Sequence, residues 1–264
     1  MKSLSSLLIT SAVIAVSSTA SAALVAGDIA LVGFQASGLT SDSFSFASLV
    51  NVDAGTVLYF SDNGFTTGTG FRGVSATDND GNEGLIKYTV GANGLAAGQV
   101  VSSLSTNTAN GFWTLTGAIY ATGTGSYAPL SFSSTGEQFT VFQSSNAQPM
   151  LSGYTALYGF DNTGAYEAAT SSSTGQLAPG LVGGTSAILL ASPTSANFAN
   201  FNFSAFSGAA DRDTWLARMG NSANWTTSSA TTNTADGSFS VGAVPAPGAV
   251  ALLGLAGLIS RRRR

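Results

Sequence analysis

The chemistry open to this chain is limited first by two residue types that it lacks. The 264 residues include no histidine and no cysteine. A Ser-His-Asp or Cys-His nucleophile, a histidine-ligated metal, a disulfide bond and a thiol redox centre are therefore excluded. Carboxylates remain the main side chains able to act as acids, bases or metal ligands.

The densest group of carboxylates lies in residues 77–83, which read Thr-Asp-Asn-Asp-Gly-Asn-Glu. Calcium is held by oxygen ligands, which alternating Asp and Asn side chains around a glycine bend can supply. If an ion binds here, we expect calcium with Asp78, Asp80 and Glu83 as ligands. The spacing departs from the EF-hand loop, and a polar surface turn is the simpler interpretation. No cofactor is therefore predicted, and calcium is the one alternative left open.

Carbohydrate chemistry is the other option that needs no histidine. A pair of carboxyl groups can hydrolyse a glycosidic bond, but the aspartates lie mostly in turn contexts and no pair stands out. Aromatic rings can also stack on sugars, although they more often fill a core. Trp225, in a polar loop, is the best single candidate for an exposed ring that stacks on a saccharide. A carbohydrate-binding module and, less favoured, a glycosidase stay open as alternatives.

The elements that would position these residues are mostly strands. Apolar and β-branched runs recur between Gly, Asn, Asp and Ser clusters, which is typical of short antiparallel strands. The ten predicted strands are Ile29–Phe34, Ser43–Ser48, Thr56–Phe60, Leu85–Val90, Gly98–Ser103, Gly111–Leu115, Gln138–Gln143, Tyr154–Phe160, Ser186–Leu190 and Ser238–Val241.

One stretch, Asp211–Met219, begins with acidic residues and stops before Gly220, which predicts a short helix. The predicted fold class is all-β: one antiparallel β-sandwich of about ten strands with one short helix over residues 23–240. An N-terminal signal helix and a C-terminal hydrophobic helix are expected to flank it.

The N-terminus has the three parts of a secretory signal peptide. Lys2 supplies the positive charge, Leu7–Val16 is the apolar region, and Ala20 and Ala22 are the small residues that a signal peptidase requires. The apolar region is too short to span a bilayer. We therefore predict a signal peptide over residues 1–22, cleaved after Ala22.

The C-terminal segment, residues 241–264, combines two prolines, an apolar run and a basic end. Pro245 and Pro247 disfavour helix before the run Ala249–Ile259. That run is too short to span a bilayer comfortably, and Arg261, Arg262, Arg263 and Arg264 hold its end on the cytoplasmic side. This order predicts a sorting tail that is held transiently in the membrane during export, with a plain membrane anchor as the alternative.

At these residues the chain resembles the PEP-CTERM sorting signal, which exosortases of exopolysaccharide-producing Gram-negative bacteria recognise. Pro245 and Pro247 match the two prolines of the motif, and Arg261 to Arg264 match its basic end. Ala246 stands where the motif has its glutamate. The resemblance implies processing by an exosortase-type membrane enzyme and a setting rich in exopolysaccharide.

The start of the mature chain resembles a second, less specific pattern. Gly27–Phe34, Asp42–Phe46, Asp53–Thr56 and Phe60–Phe65 are similar to the opening of a β-sandwich domain of exported bacterial proteins, loosely like lamin-tail modules in strand order. The resemblance implies a sandwich and assigns no activity.

Removal of both ends makes the chain strongly acidic. Four basic and thirteen acidic residues remain, a net charge of −9. Nucleic-acid binding depends on Lys and Arg that neutralise phosphates, so nucleic acid is excluded as a partner. We predict a non-catalytic protein exported through the inner membrane to the cell surface or extracellular matrix, with transient or retained membrane anchoring at its C-terminus. Its expected partners are an exosortase and, as an open alternative, exopolysaccharide.

Overall fold

A computed structural model describes residues 23–36, 42–72, 84–115, 130–167, 174–191, 198–227 and 235–242. These residues form two six-stranded sheets and one two-stranded hairpin. The predicted all-β, sandwich-like fold is confirmed. The predicted signal peptide, residues 1–22, and the predicted C-terminal hydrophobic helix, Ala249–Ile259, lie outside the described residues. Within the described ranges, no helix is long and apolar enough to cross a bilayer.

Fourteen strands and one α-helix are present in the described part of the chain. They are β1 (Ile29–Gln35), β2 (Ser43–Ser48), β3 (Val57–Ser61), β4 (Phe65–Thr66), β5 (Gly70–Phe71), β6 (Leu85–Val90), β7 (Gln99–Ser102), β8 (Gly111–Leu115), β9 (Gln138–Ser144), β10 (Tyr154–Asp161), β11 (Ala187–Leu189), β12 (Phe198–Phe201), α1 (Arg212–Met219), β13 (Trp225–Thr227) and β14 (Gly237–Ser238). The first sheet has the order β13-β12-β1-β2-β7-β14, and the second has the order β11-β10-β9-β3-β6-β8.

Each of the ten predicted strands overlaps an observed strand, and the structure adds β4, β5, β12 and β13. The named strands pair antiparallel as predicted, except that β11 runs parallel to β10 with Gly159 opposite Ala187. Parallel neighbours need a long crossover connection. Residues 162–186 provide that length.

The two sheets share one aromatic core. Phe34 of β1 stacks on Phe160 of β10 with 4.7 Å between ring centroids, and Phe44 of β2 lies 5.0 Å from Phe60 of β3. Phe44 and Phe46 both face this core, as the alternation in β2 predicts. Large aromatic side chains from both sheets are thus buried together in the main core. A second, smaller cluster includes Phe65, Phe71 and Phe142.

The helix α1 follows its predicted limits. Asp211 caps its N-terminus by accepting a hydrogen bond from the Thr214 amide at 2.7 Å, and Gly220 ends it. Its buried side chains pack toward β1, and Arg212 contacts the residues just before β1. There the Arg212 guanidinium contacts Asp28 at 2.7 Å and donates to the Ala26 carbonyl at 2.8 Å.

Residues 235–242, here called the C-terminal strap, fasten the end of the described chain. Asp236 accepts the Ser102 amide at 2.7 Å, and the Trp215 indole donates to the Ser240 carbonyl at 2.9 Å. Gly98 has φ +88°, and a Cβ there would collide with the strap carbonyl at Phe239. The close approach of the strap therefore requires glycine at this position.

Candidate functional site

Buried polar residues lie together where three interior strands of the second sheet begin or end. The end of β3, the start of β9 and the end of β10 meet there because these neighbours are antiparallel, with Ser61 opposite Thr140 and Asp161 opposite Gln138. The residues at these strand ends are all buried, and we call them the polar end: Asp62, Asn63, Glu137, Gln138 and Asp161.

Three carboxylates hold a short segment against the polar end. The amides of residues 131, 132 and 133 donate in turn to Asp62 (2.8 Å), Asp42 (2.7 Å) and Glu137 (2.8 Å). We call Asp42, Asp62 and Glu137 the carboxylate bracket. Its oxygens replace the carbonyl acceptors that a neighbouring strand would offer, because buried amides must be hydrogen-bonded. The segment places the Phe132 ring in the core, 4.5 Å from the ring of Phe34.

Asp62 is the most constrained member of the bracket. It has no exposed surface, and its second oxygen accepts the Gly84 amide at 2.5 Å. Burial raises the pKa of Asp62 to about 7, against the opposing effect of the Ser131 and Gly84 hydrogen bonds, and the nearby Asp42 carboxylate adds to the rise. The Gln138 side-chain amide donates to the backbone carbonyl of Asp62, which links the bracket to β9.

Asp161 occupies the neighbouring strand end. Its Oδ1 accepts the Thr163 amide at 2.7 Å and the Thr163 hydroxyl at 2.8 Å. Burial raises the pKa of Asp161 to about 6, against these two hydrogen bonds, and the charge of Glu167 adds to the rise. Burial also raises the pKa of the Tyr166 phenol, with a further contribution from the Asp161 charge. The two side chains line the same small cavity.

Most of the sequence-predicted site residues lie outside the described residues. These are the signal-cleavage residues Ala20 and Ala22, the calcium candidates Asp78, Asp80 and Glu83, and the sorting-tail residues Pro245, Pro247, Arg261, Arg262, Arg263 and Arg264. Across the described ranges, no three carboxylates converge as metal ligands.

The prediction that Trp225 is an exposed ring in a loop is wrong. Trp225 begins β13, is 8% exposed, and donates its indole N–H to the Met219 carbonyl at 2.8 Å. Its ring lies 5.9 Å from that of Phe201 and 6.2 Å from that of Phe160. The pairing of β13 with β12 carries this ring into the core. Trp225 is therefore not available to stack on a sugar.

Sequence reasoning also missed the carboxylate bracket. The residues Ser61-Asp62-Asn63-Gly64 have the composition of a turn, but Asp62 and Asn63 have no exposed surface and residues 62–64 form no turn. Asp62 is covered in part by the segment 131–133, which is distant in the sequence. No pattern near Asp62 predicts that contact. The usable signal is the placement of polar residues at adjoining ends of paired strands, visible only once the pairing is known.

The bracket carboxylates face the protein's own backbone. Asp62 has both oxygens occupied by amides, and Glu137 accepts the amides of Ser133 and Gln138. Such groups fix loops rather than present an acid and a base to a substrate.

The chain matches no protein-family model, no curated protein and no solved structure.

Proposed function

We propose that the protein is an exported, non-catalytic surface or extracellular-matrix protein, sorted by a PEP-CTERM-like tail and processed by an exosortase. The observation that carries the proposal is the position of the fold between the two predicted processing segments. Both cuts would fall outside residues 23–242, so processing would leave the hydrogen bonds among the described residues intact.

At the N-terminal side, the fold begins directly after the predicted cleavage site. Leu24 belongs to the buried core, and the Val25 amide donates to Asp28 at 2.8 Å. The Gly27 amide then donates to the Leu157 carbonyl at 2.7 Å. Cleavage after Ala22 would remove none of these partners.

At the C-terminal side, the last described hydrogen bond comes before the two prolines, Pro245 and Pro247. The Gly242 amide donates to the Ala210 carbonyl at 2.7 Å. Pro245 follows three residues later in the sequence. A membrane enzyme acting at or beyond the prolines would therefore cut after Gly242 and leave the hydrogen bonds of the strap in place.

The proposal of a non-catalytic role is supported by the carboxylate bracket. General acid and base groups must reach the substrate, whereas Asp62 and Glu137 are 0% and 1% exposed. Their partners are backbone amides, which is the arrangement of structural anchors.

The test follows the mass and location of tail variants in an exosortase-positive host. Deletion of residues 261–264, or combined Pro245→Ala and Pro247→Ala, should leave the protein in the inner-membrane fraction with its tail uncut. Pro179→Ala, at an exposed loop proline, is the matched control and should be processed normally. Unchanged mass and location of both tail variants would refute the proposed sorting.

Calcium at the acidic turn is a further, separable part of the proposal. Asp78, Asp80 and Glu83 would supply carboxylate oxygens, the ligands that calcium prefers. Replacement of all three by Asn, Asn and Gln should abolish calcium binding at that turn, measured by isothermal titration. Unchanged binding in this variant would exclude the turn as the site.

A further inference from the structure

A small cavity lies beside the polar end, between β9, β10 and the segment 175–181. Its volume is about 10 Å³, which is room for one water-sized guest. Asp161 and Tyr166 both line it. Among the residues that the structure describes, neither the Asp161 Oδ2 nor the Tyr166 hydroxyl has a hydrogen-bond partner, although both atoms are buried.

These two oxygens are an unusual pair to leave unsatisfied. Asp161 is only 1% exposed, and Thr163 occupies its other oxygen. A buried polar atom without a partner costs about 1–3 kcal/mol, and more when it is charged. The space and the unpaired oxygens therefore point to a bound molecule or ion that the described residues do not provide.

The side chains that line the cavity indicate which kind of molecule or ion it can bind. The polar side chains around the cavity come from Gln138, Thr140, Asp161, Tyr166 and Gln176, and no lysine or arginine is among its lining residues. Oxygen ligands of this kind suit hard cations rather than soft or redox-active metals. A water molecule would satisfy the two orphan oxygens but would leave the carboxylate charge without compensation.

We propose that this cavity binds one small hard cation, of the size of Ca²⁺ or Na⁺, between Asp161 Oδ2 and the Tyr166 hydroxyl. The site is separate from the acidic turn and from the sorting tail, so it goes beyond the proposed function. It ties the end of β10 to the segment that follows it. The cation would then strengthen the packing of residues 174–178 on the second sheet.

Terbium luminescence is the most specific test, because Tb³⁺ replaces Ca²⁺ and is sensitised by a nearby tyrosine. The purified full-length protein carrying Asp78→Asn, Asp80→Asn and Glu83→Gln, which removes the acidic turn as a competing site, is stripped with EDTA and titrated with Tb³⁺. We expect saturable emission that excess Ca²⁺ displaces. Tyr166→Phe should remove most of the emission and weaken Tb³⁺ affinity, because it deletes both the sensitising phenol and a proposed ligand. Asp161→Asn should weaken Tb³⁺ affinity at least tenfold. Asp53→Asn, at an exposed aspartate, is the matched control and should behave as the parent protein.

Thermal unfolding separates the two cations. The melting temperature of the EDTA-treated protein is measured in potassium buffer with added Ca²⁺ or Na⁺. A concentration-dependent rise with either ion that is lost in Asp161→Asn supports the site and identifies the ion. The Asp78→Asn, Asp80→Asn, Glu83→Gln variant should retain this rise, which distinguishes the cavity from the acidic turn. A rise that persists in Asp161→Asn, or no rise with either ion, would overturn the proposal and leave the cavity to water.

Discussion

The buried Asp62 carboxylate predicts an unusual pH dependence of stability. Its pKa rises from 3.8 to about 7 on folding. The folded state therefore holds this proton more tightly than the unfolded state, and its contribution to stability is lost as the pH rises from about 4 to about 7. About three pKa units at 1.36 kcal/mol each give a loss of about 4 kcal/mol from this group.

Urea unfolding of the purified protein between pH 4.5 and 8.5 measures this effect. Asp161, with its pKa raised to about 6, contributes in the same direction, so the comparison with Asp62→Asn isolates Asp62. The Asn variant should lose stability relative to the parent at pH 5, because one amide loses its acceptor. It should regain about 2.7 kcal/mol of that difference by pH 8, because only about two of the three pKa units lie above pH 5. Asp53→Asn should stay parallel to the parent. A difference between parent and Asp62→Asn that does not change with pH would refute the reasoning.

Three further predictions concern contacts that fix the ends of the fold. Arg212→Ala leaves the Asp28 carboxylate without its cation, so urea unfolding should show a loss of about 2 kcal/mol, and a loss below about 0.5 kcal/mol would contradict the assigned contact. Gly98→Ala should displace the C-terminal strap and expose it to limited proteolysis, whereas Gly55→Ala, at a similar φ with open space around it, should show only backbone strain of about 1 kcal/mol. Trp225→Ala should cost about 3–5 kcal/mol of stability, and a change in polysaccharide retention without a change in stability would contradict its place in the core.

Local patterns predicted the strands well because apolar and β-branched runs between turn residues are typical of strands, although in β1 and β2 every residue is buried and not only alternate ones. The run Ser43–Ser48 places Phe44 and Phe46 on one face, and the structure puts both in the core. The helix limits were also predictable, since Asp211 and Gly220 are local cap signals. Such features depend only on residues within a few positions of one another.

Features that depend on distant segments were not predictable in the same way. Trp225 follows a polar stretch and resembles a loop residue until β13 is paired with β12. Asp62 has the sequence of a surface turn until the segment 131–133 covers it. The parallel strand β11 likewise depends on a crossover whose direction no local pattern sets.

The two-ended processing of this chain is the central claim, and the intact mass of the protein recovered from the producing cell's surface or medium tests it directly. We expect a protein that starts at Ala23 and has lost the segment ending in Arg261 to Arg264. Any anchor that the processing enzyme attaches would add to the mass of this protein. A soluble extracellular protein that retains Pro245 through Arg264 would contradict it.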